Sequence, residues 1–296
     1  MKRIIIVGAG PAGLTAALYL ARAGQIPLVL SGFTGSALSR AAKVENYPGL
    51  GEKSGEEILK AILEQTKALG IEPISDAVAE VEKNENVFLL HGHENYEADA
   101  VIWAAGAQAR RLTLPEEPRY FGRGVSVCAT CDGNFFRKKV VAVVAGSSRA
   151  VAETLHLAEL CETVYFIEEG TEIPPALTSY KNVVIIKESR VVSLEGEKRL
   201  ESITLQNLKS GEQSKLALSG LFLAIGNVPF SAPLKKFGVT DEKGAIIINY
   251  PHTSTALPGL FAAGDVTNYP YRQIVTAVSQ GCTAALDALA YLLKRA

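Results

Sequence analysis

The feature that most constrains this chain is a glycine pattern near its start, Gly8-Ala9-Gly10-Pro11-Ala12-Gly13. It directly follows a short β-branched run, Arg3 to Val7, and opens a helix-forming stretch, Leu14 to Ala23, which Gly24 closes. A G-x-G-x-x-G between strand and helix is a dinucleotide turn. Gly8 permits the sharp turn, Gly10 lets a pyrophosphate approach the backbone, and Gly13 lets helix and strand pack closely. The acidic residue usually found ~20 positions further on is missing, because Ser31-Gly32 stands at the end of the next strand. The turn therefore announces a dinucleotide without saying which one.

The rest of the chain repeats the alternation of strand and helix. Leu28-Val29-Leu30 reads as a strand, Gly55 to Leu69 as an amphipathic helix, and Ala100-Val101-Ile102-Trp103 as a strand ending at Ala104-Ala105-Gly106. Val140 to Val144 and Val164 to Ile167 read as buried strands around a helix from Ala150 to Leu160. Leu260 to Asp265 is a strand-to-loop junction, and Gln273 to Lys294 is one long helix. Strands alternating with helices imply parallel sheets. The expected fold is α/β with two Rossmann-like dinucleotide-binding domains, the second inserted into the first. The expected boundaries are 1–112 and 244–296 for the split domain and 113–243 for the insert.

Composition narrows the function classes. Of 296 residues, 48% are hydrophobic and 21% charged, enough apolar surface for two globular cores. The net charge of −1 argues against nucleic acid and against an anionic membrane surface. No stretch reaches the ~18 apolar residues of a membrane span, and Ile4 to Val7 is too short for a secretory core. A reducing cytoplasm is the expected setting. The four cysteines, Cys128, Cys131, Cys161 and Cys282, are too few for a disulfide framework in a chain of this length.

Cys128-Ala129-Thr130-Cys131 is either a redox pair or half of a zinc site. Zinc needs two further ligands, but Cys161 has only the single His156 five residues before it, and Cys282 has no cysteine or histidine near it in sequence. His91 and His93 lie in a predicted hairpin, and His156 and His252 are isolated, so no metal is expected. Cys161 and Cys282 read as inert small hydrophobes.

From first strand to last helix the chain resembles the low-molecular-weight thioredoxin reductases. The resemblance is carried by the glycine turn, Ser31-Gly32, Glu45-Asn46-Tyr47-Pro48-Gly49, Cys128 to Gly133, Gly264-Asp265-Val266 and Tyr271-Arg272-Gln273. It implies FAD as cofactor, with Gly8, Gly10, Pro11, Ala12 and Gly13 at the pyrophosphate. Asn46 would lie against the flavin and ribityl region, and Asp265 beside Gly264 at a ribityl hydroxyl. Arg272, Gln273 and Ile274 would lie beside the ring, and Ala105 and Gly106 complete the cofactor-binding set. Cys131 would face the flavin, Cys128 would attack the substrate, and Asp132 would return a proton to the leaving thiol. Thioredoxin is the implied substrate and a homodimer the implied assembly. A dithiol that serves both flavin and protein substrate implies that the inserted domain rotates, with hinges near 110–115 and 243–246.

The resemblance breaks in the inserted domain. Family members bind NADPH there through a G-x-G-x-x-A turn, where this chain has Ala145-Gly146-Ser147-Ser148-Arg149-Ala150. A serine at the second glycine position obstructs the pyrophosphate. Glu168 and Glu169 stand where arginines grip the 2′-phosphate. A glutamate there suits a ribose 2′-hydroxyl, so NADH is the alternative, ahead of NADPH; otherwise the pair is a solvated strand end. The losses are similar to the pyridine-nucleotide-independent branch, the ferredoxin-dependent flavin thioredoxin reductases, with a diflavin-linked branch as a further alternative. A ferredoxin at about −400 mV lies below a thioredoxin at about −270 mV, worth roughly 6 kcal/mol for two electrons. The basic stretch Arg110, Arg111, Arg119, Arg123, Arg137, Lys138 and Lys139 suits an acidic ferredoxin. The expected electron donor is therefore reduced ferredoxin.

Overall fold

The computed structural model describes residues 3–32, 35–41, 43–147, 149–169 and 173–295. The chain forms two compact units, residues 1–108 with 228–296, and residues 109–227.

The first leg of the first unit runs β1 (Ile4–Val7), α1 (Pro11–Arg22), β2 (Leu28–Ser31), α2 (Gly55–Lys67) and β3 (Ile74–Ser75). It continues through an antiparallel meander, β4 (Glu80–Asn84), β5 (Val87–His91) and β6 (Asn95–Ala98), into β7 (Ala100–Trp103). A short strand, β8 (Ala107–Ala109), leads out of this unit.

The second unit contains α3 (Glu117–Tyr120), β9 (Val125–Ser126), α4 (Ala129–Asp132), β10 (Val140–Ala145), α5 (Ala150–Ala158), β11 (Thr163–Ile167), α6 (Pro175–Thr178) and β12 (Val183–Ile186). An antiparallel meander, β13 (Ser189–Glu195), β14 (Ser202–Asn207) and β15 (Gln213–Ala217), precedes β16 (Gly220–Ala224). The chain returns through β17 (Asn227–Pro229), which pairs with β8, and ends with β18 (Leu260–Ala262) and α7 (Ile274–Leu293).

In the first unit the parallel sheet has the order β18-β7-β1-β2-β3. β1 is central, with Ile5 opposite both Leu28 and Val101. All four of its residues are buried, which is why it reads as an unbroken apolar run rather than an alternating one. Pro11 at the start of α1 lacks only an N–H that no helix residue could accept. Alanines on α1 and α7 (Ala12, Ala16, Ala17, Ala277, Ala284, Ala285, Ala288) form one face of the core. A methyl on Gly281 would stand 2.2 Å from the Ala12 carbonyl oxygen, so glycine is required where these helices touch. Ser54 and Glu57 form a reciprocal capping box at the start of α2.

The second unit has the parallel order β12-β11-β10-β16-β9, with Val141 opposite both Val164 and Gly220. One face is covered by α4 and α5 (Ala129, Ala150, Leu157), the other by the β13–β15 meander (Val191, Leu194, Ile203, Leu205). Gly220 lets the Phe136 ring lie on the sheet, edge-on to Phe222 at 5.3 Å.

The return to the first unit comes at 228, not at 244 as the sequence suggests. Residues 228–243 contain only short strand and 3-10 pieces, so hydrophobic periodicity does not assign them. Their side chains do: Leu234 and Val239 are buried with Phe88, Trp103 and Ile246 in the first unit. The Trp103 indole N–H donates to the Phe230 carbonyl at 2.7 Å, and the Phe230 N–H donates to the Gly106 carbonyl.

Candidate active site

Cys128 and Cys131 form a disulfide, with their Cα atoms 5.3 Å apart. β9 ends at Ser126 on the edge of the parallel sheet beside β16, and Cys128, two residues later, is the N-cap of α4. The Cys131 N–H donates to Cys128 Sγ at 3.2 Å. Cys131 is exposed and Cys128 half-buried. α4 sits tightly on α5, since a methyl on Gly133 would meet Leu157 and Leu160 at 3.2 Å.

Asp132 closes the turn. Burial pushes its carboxyl above the ordinary carboxylate range, and a hydrogen bond from Ser126 partly offsets this. The Ser126 hydroxyl donates to Asp132 Oδ2 at 2.5 Å and accepts the Cys128 N–H at 3.1 Å. A carboxyl group held next to a disulfide can supply the proton that a leaving thiolate needs.

The other two cysteines are separate from this turn. Cys161 is buried, and burial pushes its thiol up to about 11, out of reach of the thiolate form at neutral pH. Cys282 lies half-buried within α7. His91 bonds Asn95 and His252 bonds Asp287. Among the described residues no three His, Cys, Asp or Glu side chains are grouped to hold a metal.

The first unit carries the glycine turn. Gly8 has φ +114°, and a methyl on it would lie 2.2 Å from the Ala104 carbonyl oxygen. A methyl on Gly13 would lie 1.8 Å from the Gly8 carbonyl oxygen. Gly10 differs, because a methyl there meets only Ser36 Oγ, at 3.4 Å. Two glycines are thus required by protein packing, while the third borders open space. The first turn of α1 has no acidic residue, and Gly10 supplies no side-chain cap. The positive end of the helix is left for an anion.

The remaining residues of the sequence-derived set lie in the same unit. Asn46 donates through Nδ2 to Gln273 Oε1 at 3.1 Å, and Gln273 caps α7 reciprocally with Thr276. The Gly264 N–H donates to Gln280 Oε1 at 2.7 Å, and a methyl on Gly264 would lie 3.0 Å from Ala12 Cβ. Asp265 and Arg272 are half-buried, and Ile274 packs against Leu38, Val44 and Ile58. Ala105 and Gly106 follow β7, with Gly106 at φ +75°. The turn, Ala105–Gly106 and Gly264–Asp265 follow the carboxyl ends of β1, β7 and β18, where ligands of such sheets bind.

The corresponding turn of the second unit is built differently. The Gly146 N–H donates to the Ala224 carbonyl, and Ala145 is buried. Ser147 Oγ is buried with no hydrogen-bond partner among the described residues. Ser148 lies outside them. Glu168 is not the solvated or ribose-facing residue expected from its position. It is 2% exposed, and its carboxylate accepts the Glu188 N–H at 3.0 Å. Only Glu169 is exposed.

The description "pyridine nucleotide-disulphide oxidoreductase" belongs to the family model that matches residues 2–281. The chain belongs to this family. It is an oxidoreductase, and its cofactor is FAD, which the open Gly10 position and the uncapped start of α1 fit. Thioredoxin reductase from Streptomyces coelicolor is 36% identical over 303 residues, covering 99% of this chain and 94% of that one. The solved thioredoxin reductase from Giardia duodenalis matches with a TM-score of 0.93 and 34% identity, covering 99% of this chain and all of that one. A ferredoxin-flavin thioredoxin reductase from Clostridium acetobutylicum matches with a TM-score of 0.54 and 27% identity, covering 99% and 98%.

Sequence reasoning missed Ser126. Its signal was a hydroxyl residue two positions before a Cys-x-x-Cys-Asp run, but only its burial against Asp132 gives it meaning.

Proposed function

We propose that this oxidoreductase reduces the disulfide of a thioredoxin-type protein through its own Cys128/Cys131 pair. The observation that carries the proposal is the disulfide at the start of α4, with the half-buried Asp132 carboxyl next in sequence and bonded to Ser126. The residues that would hold FAD are Gly8, Gly10, Pro11, Ala12, Gly13, Asn46, Ala105, Gly106, Gly264, Asp265, Arg272, Gln273 and Ile274. When bound, FAD supplies the electron pair that opens the protein disulfide. Cys128 attacks the partner's disulfide, Cys131 resolves the mixed disulfide, and Asp132 protonates the leaving thiolate. The relatives' shared name supports thioredoxin as partner. A cytoplasmic homodimer is the setting we propose. No helix among the described residues is long and apolar enough to cross a membrane.

For the electron source the comparisons favour a pyridine nucleotide over ferredoxin, reversing the order drawn from the sequence. The family description names that cofactor, and near-full-length relatives carry the plain thioredoxin reductase name. Ferredoxin stays as a second reading because of specific side chains. Ser147 puts a hydroxyl with no partner among the described residues where the turn needs glycine, and Glu168 is already engaged by Glu188. Anaerobic stopped-flow mixing separates the two. Fast, saturable flavin bleaching by NADH or NADPH supports the nucleotide. Bleaching by reduced ferredoxin alone supports the second reading.

A further inference from the structure

We infer that Ser126 is a positioning residue for disulfide exchange, holding the Asp132 carboxyl against the dithiol turn. The inference rests on the roles proposed above for Cys128, Cys131 and Asp132.

Ser126 is 5% exposed and ends β9, the edge strand from which the turn departs. Its oxygen joins three groups. It accepts the Cys128 N–H, its single proton goes to Asp132 Oδ2, and the Cys128 carbonyl lies further off at 3.5 Å. The Asp132 N–H in turn donates to the Cys128 carbonyl at 3.1 Å. The hydroxyl therefore locks the acid to the cysteine that caps α4. A hydroxyl suits both states of the acid, since it donates to the carboxylate and can accept from the carboxylic acid.

The chemistry needs such a partner. A Cys128 thiolate attacks a substrate sulfur, a new S–S bond forms, and the substrate's own S–S bond breaks. The departing sulfur leaves with the electron pair and takes a proton from Asp132. The Cys131 thiolate then attacks Cys128 Sγ, restoring the internal disulfide and releasing the second substrate sulfur, which also takes up a proton. The two protein thiols are oxidised and the substrate disulfide is reduced.

Few other charges bear on Asp132. The Gly133–Phe136 turn brings none, nor do β9 and β16. α5, packed on α4, brings Glu153 and His156. Glu153 Oε1 lies 4.0 Å from Arg149 Nε on its own helix. His156 Nε2 would be 3.6 Å from a methyl on Gly133.

The test uses the FAD-loaded protein and needs no physiological electron donor. Dithiothreitol opens the Cys128–Cys131 disulfide, and the rate is followed against pH by rapid quench, alkylation and mass spectrometry. Ser126→Ala should slow opening about tenfold. It should also move the alkaline limb of the profile to higher pH, because the carboxylate has lost a donor. Ser126→Thr should restore both, and His156→Asn should leave the limb in place. In an Asp132→Asn background Ser126→Ala should have no further effect. A wild-type profile for Ser126→Ala, or an equal loss in the Asp132→Asn background, overturns the inference. A wild-type profile for Asp132→Asn overturns the acid role itself, and so separates the two failures.

Discussion

Asp132 is the residue at which stability and function oppose each other. Burial raises its carboxyl above the carboxylate range, so the folded protein holds that proton more tightly than the unfolded chain. Stability from this group is therefore present at acid pH and is lost as pH rises through the carboxylate range toward the raised value. Asp132→Asn should melt higher than wild type near neutrality, with the advantage vanishing in acid, while turnover falls about a hundredfold. Melting curves across pH, paired with thioredoxin reduction, check both halves; a lower Tm at neutral pH contradicts the burial argument. Cysteine variants give a second residue-scale expectation. Cys128→Ser should abolish thioredoxin reduction, whereas Cys161→Ala with Cys282→Ala should stay active, and an inactive, folded double variant contradicts it. The dithiol was legible because its motif is local. Ser126 and Glu168 were not, because each is defined by a partner reached only through the fold, Asp132 across a turn and the Glu188 N–H across a strand end.

At the scale of elements, the cofactor turn depends on α1 sitting hard against β1 on one side and α7 on the other. Gly13 and Gly281 make both contacts possible, each against a backbone oxygen that cannot retreat cheaply. Gly281→Val should push α7 off α1, lower stability by about 3 kcal/mol, and weaken FAD retention through Gly264, which abuts Ala12. Denaturant melts and the flavin content of purified protein are the measurements; unchanged flavin content would mean that the crossing does not shape the site. The close packing at Gly8 and Gly13 could be read from the sequence because strand, turn and helix are contiguous. Gly281 could not, since its partner Ala12 is at the other end of the chain. The β-α alternation placed the main strands and helices within a few residues, with Ala100–Trp103 matched end to end. The 228–243 segment lacked any period, and its place follows only from Leu234 and Val239 in the first core.

On the scale of the whole molecule, the two units divide the chemistry, with the glycine turn in one and the dithiol in the other. The chain's single tryptophan, Trp103, is buried in the first unit at the end of β7, just before Ala105 and Gly106. Its fluorescence should fall as FAD is added back to flavin-free protein, to saturation near one equivalent; a flavin that binds without changing this emission lies elsewhere. The central claim is that a flavin and the Cys128–Cys131 disulfide form one electron-accepting system. An anaerobic reductive titration with dithionite, counted by flavin absorbance and thiol alkylation, tests it most directly. The account predicts about four electron equivalents per chain, two for the flavin and two for the disulfide, with Cys131→Ser accepting about two. A wild-type protein that takes up only about two equivalents, with Cys128 and Cys131 still joined, would contradict it.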